Sequence, residues 1–250
     1  MIAQIVYRSD SYKIDLSQPQ DLSVSLTGNG LGINAWGSPP AAILPYKQGD
    51  FVGSVQRGAA VNFNEVRFSP HSHITHTECV GHITKEVYSI NTQLQCYFFF
   101  ALLITVAPEQ SGEDLVISRK QLEYAMGDEQ VEAIIVRTLP NTEKKYHREY
   151  TNTNPPYLLQ EAAEYLSEKG IQHLLVDLPS VDKEKDDGAL LAHKAFWNFS
   201  GEMRIGATIT EFIYVPNTIA DGTYFLNLQV APIENDASPS RPVIYKIVAS

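Results

Sequence analysis

The sequence contains no run of eighteen or more apolar residues, so no segment reads as a membrane-spanning helix; its longest apolar candidate, residues 96–107, has only the length of a strand or a core helix. Cysteine is nearly absent: Cys79 and Cys96 are the only two, too few for a disulfide framework, and reduced thiols are expected. Positive charge is scarce, with 19 Lys and Arg against 29 Asp and Glu and a formal net charge of −10. No basic cluster offsets it, so nucleic acid and anionic membrane, both polyanionic, are not expected partners. The opening Met-Ile-Ala-Gln-Ile-Val-Tyr-Arg lacks the basic stretch, apolar block and small-residue cleavage site of a secretory signal, which makes a cytoplasmic location the expectation. Several catalytic signatures are missing too: the Gly-x-Ser-x-Gly elbow, the Gly-x-x-x-x-Gly-Lys phosphate loop and the Gly-x-Gly-x-x-Gly fingerprint. There is no internal repeat and no low-complexity tract, and the Pro- and Gly-punctuated stretches 28–45 and 151–156 are too short to be linkers. A single domain over residues 1–250 is expected, near the upper size that one hydrophobic core serves.

What is present reads as strand-rich. Apolar residues cluster or alternate over 51–55, 61–68, 98–106, 131–136, 171–176, 209–215 and 224–230, the pattern of strands. Two segments are predicted to be helical. In 156–170, Leu158, Leu159, Ala162, Ala163 and Leu166 make one apolar stripe and Gly170 is placed to end it; in 118–126, Ser118 and Gln121 form a capping box. The charge run 182–187, Asp-Lys-Glu-Lys-Asp-Asp, reads as a solvated loop.

Histidine carries the chemistry. Of seven in the chain, four fall within twelve residues, His71, His73, His76 and His82, in company with Glu78. Imidazole and carboxylate are ligands that Zn²⁺ and Mn²⁺ accept, and a carboxylate can bridge two ions. In an extended segment His76, Glu78 and His82 differ by even numbers, which predicts that they share one face. Cys79 beside them reads as a packed small hydrophobe rather than a nucleophile.

The string Pro-His-Ser-His-Ile-Thr-His-Thr-Glu-Cys-Val-Gly-His resembles the signature of the cyclase family of metal-dependent hydrolases, typified by bacterial kynurenine formamidase, His-x-Gly-Thr-His-x-Asp-x-Pro-x-His. Thr75, His76, Glu78 and His82 fall on its Thr, second His, Asp and last His; Glu stands for Asp, Val80 for Pro and Ile74 for Gly. Pro70-His71 is similar to the branch that carries the first His one residue earlier, which favours His71 over His73. Further resemblance comes from Ile14-Asp15-Leu16-Ser17, from 175–182 followed by His193, from Glu211 after Thr208-Ile209-Thr210, and from the closing Pro-Arg segment around Ser238-Pro239-Ser240-Arg241.

The resemblance implies an α/β fold of the swivelling β/β/α type, a homodimer, and a centre of two divalent ions, Zn or Mn, held by His71, His76, Glu78, His193 and Glu211, with His82 as general acid/base. It also places Trp36 in a segment folded over the site, where it would stack on a flat aromatic substrate. Such a centre activates water and polarises a carbonyl, the two requirements of amide or lactone hydrolysis. The expected reaction is hydrolysis of an N-formyl or cyclic amide on a small aromatic molecule. Alternatives are a cyclic imide, an isatin-like ring or a lactone, and a non-catalytic metal-binding relative in which Ser72 and Ile74 have disabled the centre.

Overall fold

A computed structural model describes residues 1–248. Its body is one eleven-stranded mixed sheet. The strands are β1 (Ile2–Tyr7), β2 (Asp10–Asp15), β3 (Gln20–Asp21), β4 (His76–Glu78), β5 (Phe98–Val106), β6 (Ala133–Thr138), β7 (His173–Val176), β8 (Thr208–Glu211), β9 (Gly222–Asn227), β10 (Ala237–Pro239) and β11 (Val243–Val248). They lie in the order β1-β2-β11-β9-β5-β6-β7-β8-β4-β10, with β3 beside β11. Helices are short and few: α1 (Pro70–His73), α2 (Ile90–Gln93), α3 (Arg119–Met126), α4 (Gln160–Glu168) and α5 (Leu191–Phe196).

Strands β5, β6, β7 and β8 are mutually parallel, and α3, α4 and α5 fall in the three connections between them. A parallel sheet of this kind is covered on both faces, which is why these strands read as continuous apolar runs. On one face Leu102, Ile104, Ile134, Val136, Leu174, Val176 and Ile209 pack against Leu122, Met126, Ala162, Leu166 and Phe196 of the helices. On the other, Ala101, Leu103, Ala133, Ile135 and Leu175 meet Leu22, Ile90, Ile213 and Val215. Strands β4 and β10 then run antiparallel at one edge, and β9, β11, β2 and β1 at the other.

Strand 98–106 and the 118–126 helix form as the sequence predicts, the latter with Ser118 N–H donating to Gln121 Oε1 at 3.1 Å. Four predictions shift for identifiable reasons. The 209–215 run stops at Glu211 because Phe212 adopts φ 56°, a left-handed conformation that ends the strand. The 156–170 helix starts late: Tyr157–Leu158 is held extended by parallel pairing with Val116 and Ile117. Gly170, at φ +76°, closes the helix end as expected. Residues 61–68 supply only Asn64–Arg67, paired with Ala42–Pro45 in a separate hairpin, so Val61, Phe63 and Val66 are exposed rather than core. The 182–187 run is not uniformly solvated, because Asp182 is 6% exposed and serves a structural role described below.

His173 on β7 is a buried residue with a consequence for stability. Its Nδ1 lies 2.9 Å from Thr208 Oγ1 and its ring 3.9 Å from that of Phe99. Burial, helped by the nearby Arg204 charge, pushes its pKa down from 6.5 to about 4. The unfolded chain therefore binds a proton that the folded chain refuses between those values. The stabilisation that comes from keeping His173 neutral is whole above pH 6.5 and is lost as pH falls through about 4, a contribution of about 3 kcal/mol. Chemical denaturation at pH 7 and pH 4 should show wild-type protein losing more stability than His173→Asn by that amount; equal losses would mean that the ring is protonated in the native state.

Candidate metal centre

The site lies beyond the carboxyl ends of the parallel strands, where open α/β sheets present loops rather than ladder. Glu211 is the last residue of β8, and the antiparallel register of β4 sets His76 directly opposite it. Residues two apart on a strand share a face, so Glu78 stands beside His76 on the same side. From the following turns, the loop after β7 brings Asp182 and α5 brings His193. The one-turn helix α1, with Pro70 at its first position, brings His71.

Three imidazoles repeat one arrangement. His76 donates Nδ1–H to the carbonyl of Ile74 at 3.0 Å and turns Nε2 toward Glu211 Oε2 at 3.3 Å. His193 donates Nδ1–H to Asp182 Oδ2 at 2.5 Å and turns Nε2 toward Glu78 Oε1 at 2.9 Å. His71 donates Nε2–H to Asp236 Oδ2 at 2.9 Å and turns Nδ1 toward Glu78 Oε2 at 3.3 Å. A carbonyl or carboxylate oxygen can only accept, so each outer contact assigns a proton to that nitrogen. The inner nitrogen of a neutral ring is then a lone pair facing a carboxylate, which is repulsive unless a cation lies between them.

Buried His76 Nε2 and Glu78 Oε2 have no hydrogen-bond partner among the described residues. Two unsatisfied acceptors side by side in a buried site fit a metal ion. Donor atoms of His71, His76 and Glu78 lie within 4.8 Å of one another, as do those of Glu78, His82 and His193. Without metal, protons supply the positive charge. Burial alone would lower the pKa of His71, but the Asp236 hydrogen bond and the adjacent Glu78 and Asp236 carboxylates outweigh it and raise it to about 10. His193 rises to about 10 against the same burial penalty, through Asp182, Glu78 and Glu211. Glu78, despite complete burial, is held well below the usual carboxylate range by the surrounding imidazoles.

All six ligand and acid/base candidates of the sequence, His71, His76, Glu78, His82, His193 and Glu211, meet in this cluster. His73 does not: its Nδ1 accepts from Ser69 N–H at 2.9 Å and its Nε2–H donates to Pro39 at 3.1 Å, which pins the Pro-rich stretch to α1. Ile74 fits where a Gly was expected because its backbone is extended (φ −154°, ψ 155°), a conformation open to any residue. The predicted strand alternation placed His82 correctly for the wrong reason. Strand β4 ends at Glu78, and a 3₁₀ turn over Val80–His82 brings the ring back, its Nδ1 3.9 Å from Glu78 Oε2 and 3.1 Å from Asp236 Oδ2.

Trp36 is positioned above, its Nε1–H donating to the His71 carbonyl at 2.8 Å. It is 39% exposed and lines a cavity of about 340 Å³ together with His71, His82, Lys183, Leu190 and Glu211. Trp36 (φ 62°) and Leu190 (φ 48°), which line the cavity, and Phe212 (φ 56°), which follows Glu211, are non-glycine residues held in left-handed backbone.

Two acids went unread in the sequence. Asp182 accepts from the backbone N–H of Ala192 and of His193 as well as from the His193 ring, so it caps α5 and sets the tautomer at once. Its position eleven residues before His193, just after Leu-Pro-Ser-Val, was the available signal. Asp236 joins His71 and His82; its sequence cue is that it stands two residues before the closing Ser238-Pro239-Ser240-Arg241 segment.

The Cyclase family model matches residues 14–183 of this chain. A kynurenine formamidase of Bacillus cereus is 31% identical over 196 residues, covering 78% of this chain and 85% of that protein. Among solved structures, an isatin hydrolase bound to the product analogue thioisatinate aligns with a TM-score of 0.62 at 18% identity, over 92% of this chain and 93% of the other. A predicted metal-dependent hydrolase from Bacillus stearothermophilus aligns with a TM-score of 0.61 at 15% identity, over 91% and 98%. At those identities the two structures speak to the fold alone. The family match stops short of His193 and Glu211, which the fold brings back beside the matched histidines.

Proposed function

The chain belongs to the cyclase family, and from that premise we propose that it is a metal-dependent hydrolase cleaving an amide C–N bond of a small aromatic substrate, of the arylformamidase type. The observation that carries this reading is the set of three imidazoles, each with one ring nitrogen on an outer oxygen acceptor and the other turned onto an inner carboxylate. His71, His76, Glu78, His193 and Glu211 would hold the metal, one or two ions of Zn or Mn. Such an ion supplies Lewis acidity toward a carbonyl oxygen and toward water.

The protein groups supply the rest. His82 gives Nδ1–H to Asp236, which leaves its Nε2 as the base. It accepts a proton from the attacking water and returns it to the leaving nitrogen, so that the C–N bond breaks to a neutral amine and a carboxylic acid, which then gives up its remaining proton to solvent and leaves as the carboxylate. The indole of Trp36, fixed by its bond to His71, offers a flat wall against which an aryl ring is oriented.

A second substrate reading, a compact neutral ring such as isatin, is favoured by the rim of the cavity. Lys183 is paired with Asp114 at 2.7 Å, Glu184 accepts from the backbone of Asn152 and Asn154, and Asp186 accepts from Gly188 and Leu190. These charges are engaged already and leave little to grip an amino-acid head group. Protein loaded with Zn²⁺ or Mn²⁺ should be assayed on N-formylkynurenine, followed by the absorbance of the freed aromatic amine, and in parallel on isatin, followed by loss of the ring chromophore. Turnover of the first supports the arylformamidase reading and of the second alone the cyclic one; metal bound with neither turned over would retire both.

A further inference from the structure

We infer that Asp236 is the positioning residue of the acid/base histidine: its carboxylate fixes the tautomer and ring orientation of His82 and, through the same oxygen, of His71. This rests on the reading of His82 as the base. Asp236 Oδ2 accepts from both rings, from His82 Nδ1 at 3.1 Å and from His71 Nε2 at 2.9 Å. The two rings lie 4.3 Å apart at a tilt of 32°. One carboxylate oxygen thus sits at the fork between a candidate ligand and the candidate base.

The backbone makes that fork rigid. Asp236 directly precedes β10, whose register pairs Ala237 with Glu78, and the Asp236 carbonyl accepts from Cys79 N–H at 3.0 Å. Its neighbour Asn235 accepts from Ile90 N–H at 2.9 Å. The carboxylate therefore stands at the entry to the strand next to the one that carries His76 and Glu78, its backbone tied to Cys79.

Which imidazole nitrogen bears the proton is set by the bond the other one makes. A carboxylate on Nδ1 of His82 requires Nδ1–H and leaves Nε2 with its lone pair, the form a general base needs. On His71 the same carboxylate requires Nε2–H and leaves Nδ1 to face Glu78. The chemistry parallels a carboxylate orienting the histidine of a nucleophile-activating triad and a carboxylate backing a metal-bound histidine, combined here in one residue. Removing it should disturb the base without removing a metal ligand.

The test uses full-length protein saturated with Zn²⁺ and three variants, Asp236→Asn, Asp236→Ala and Asp236→Glu. Metal content should stay at the wild-type level. On the substrate that wild type turns over, kcat should fall by about 10- to 100-fold in Asn and Ala with KM within about twofold, and Glu should recover part of the loss. Independently of turnover, ¹⁵N spectra of the His82 ring should show the Nδ1–H tautomer in wild type and a shift toward Nε2–H in Asp236→Ala. Loss of zinc at saturation would make Asp236 a ligand and overturn the inference, as would a loss carried in KM or an unchanged His82 tautomer. A His82→Gln variant separates the two readings. If it keeps full kcat, His82 is not the base, whereas an inactive His82→Gln beside a fully active Asp236→Ala discards Asp236 alone.

Discussion

Glu78→Gln should abolish metal binding while leaving the fold standing. The side chain is fully buried and divides its two oxygens among the imidazoles, Oε1 toward His193 at 2.9 Å and Oε2 toward His71 at 3.3 Å. Glutamine keeps the volume and the packing but replaces one of those oxygens by a donor and removes the charge that a divalent ion needs opposite it. His76→Ala should act alike, because His76 Nε2, like Glu78 Oε2, is a buried atom of this site with no hydrogen-bond partner among the described residues. Metal analysis after dialysis reads the first effect. Thermal unfolding reads a second: a ligand at a hundred times its Kd stabilises a protein by about 2.7 kcal/mol, so added Zn²⁺ should raise the Tm of wild type and leave both variants unmoved. Wild-type metal content in Glu78→Gln and His76→Ala together would place the ion elsewhere.

His82→Gln should have the opposite profile, with metal retained and turnover lost. Its Nδ1 is 3.9 Å from the Glu78 oxygen that faces His71, so the ring stands at the edge of the ligand cluster, and about a third of it is exposed to the cavity. A positioned general acid/base contributes roughly 10²- to 10⁴-fold, and kcat should fall within that range at saturating Zn²⁺ or Mn²⁺. The measurement is steady-state kinetics beside metal content on the same samples. A variant that loses metal in step with activity would assign His82 to the ligands; one that keeps both would leave the hydrolase without its proposed base.

Much of the site was legible because its residues are close in sequence and rare in type. His71, His76, Glu78 and His82 stand within twelve positions, and the choice of His71 over His73 followed from the resemblance of Pro70-His71 to one branch of the family. The strands Phe98–Val106 and Ala133–Thr138 and the helix Arg119–Met126 are written in local periodicity and capping, which act over two to four residues. Contacts between segments far apart in the chain are not written that way. Asp236 reaches His82 across 154 positions only because β10 pairs with β4 in the register Ala237 to Glu78, and nothing local to Asn235-Asp236-Ala237 announces that pairing.

Asp182 was misread as part of a solvated charge run for the same reason: its burial is set by the docking of α5, from whose Ala192 and His193 amides it accepts, and not by its charged neighbours. The exposed hairpin of Ala42–Pro45 and Asn64–Arg67 errs in the other direction, since apolar residues signal burial only where the fold supplies something to bury them against. By itself, then, the sequence determined the candidate ligand set and the strand-rich pattern, properties of residue type and short spacing, while the α/β class and the family followed from the resemblance of its histidine segment. The tertiary structure alone decided which nitrogens face inward, which acids hold them there and where His82 ends up, because tautomer and orientation follow from hydrogen bonds that only long-range pairing can make.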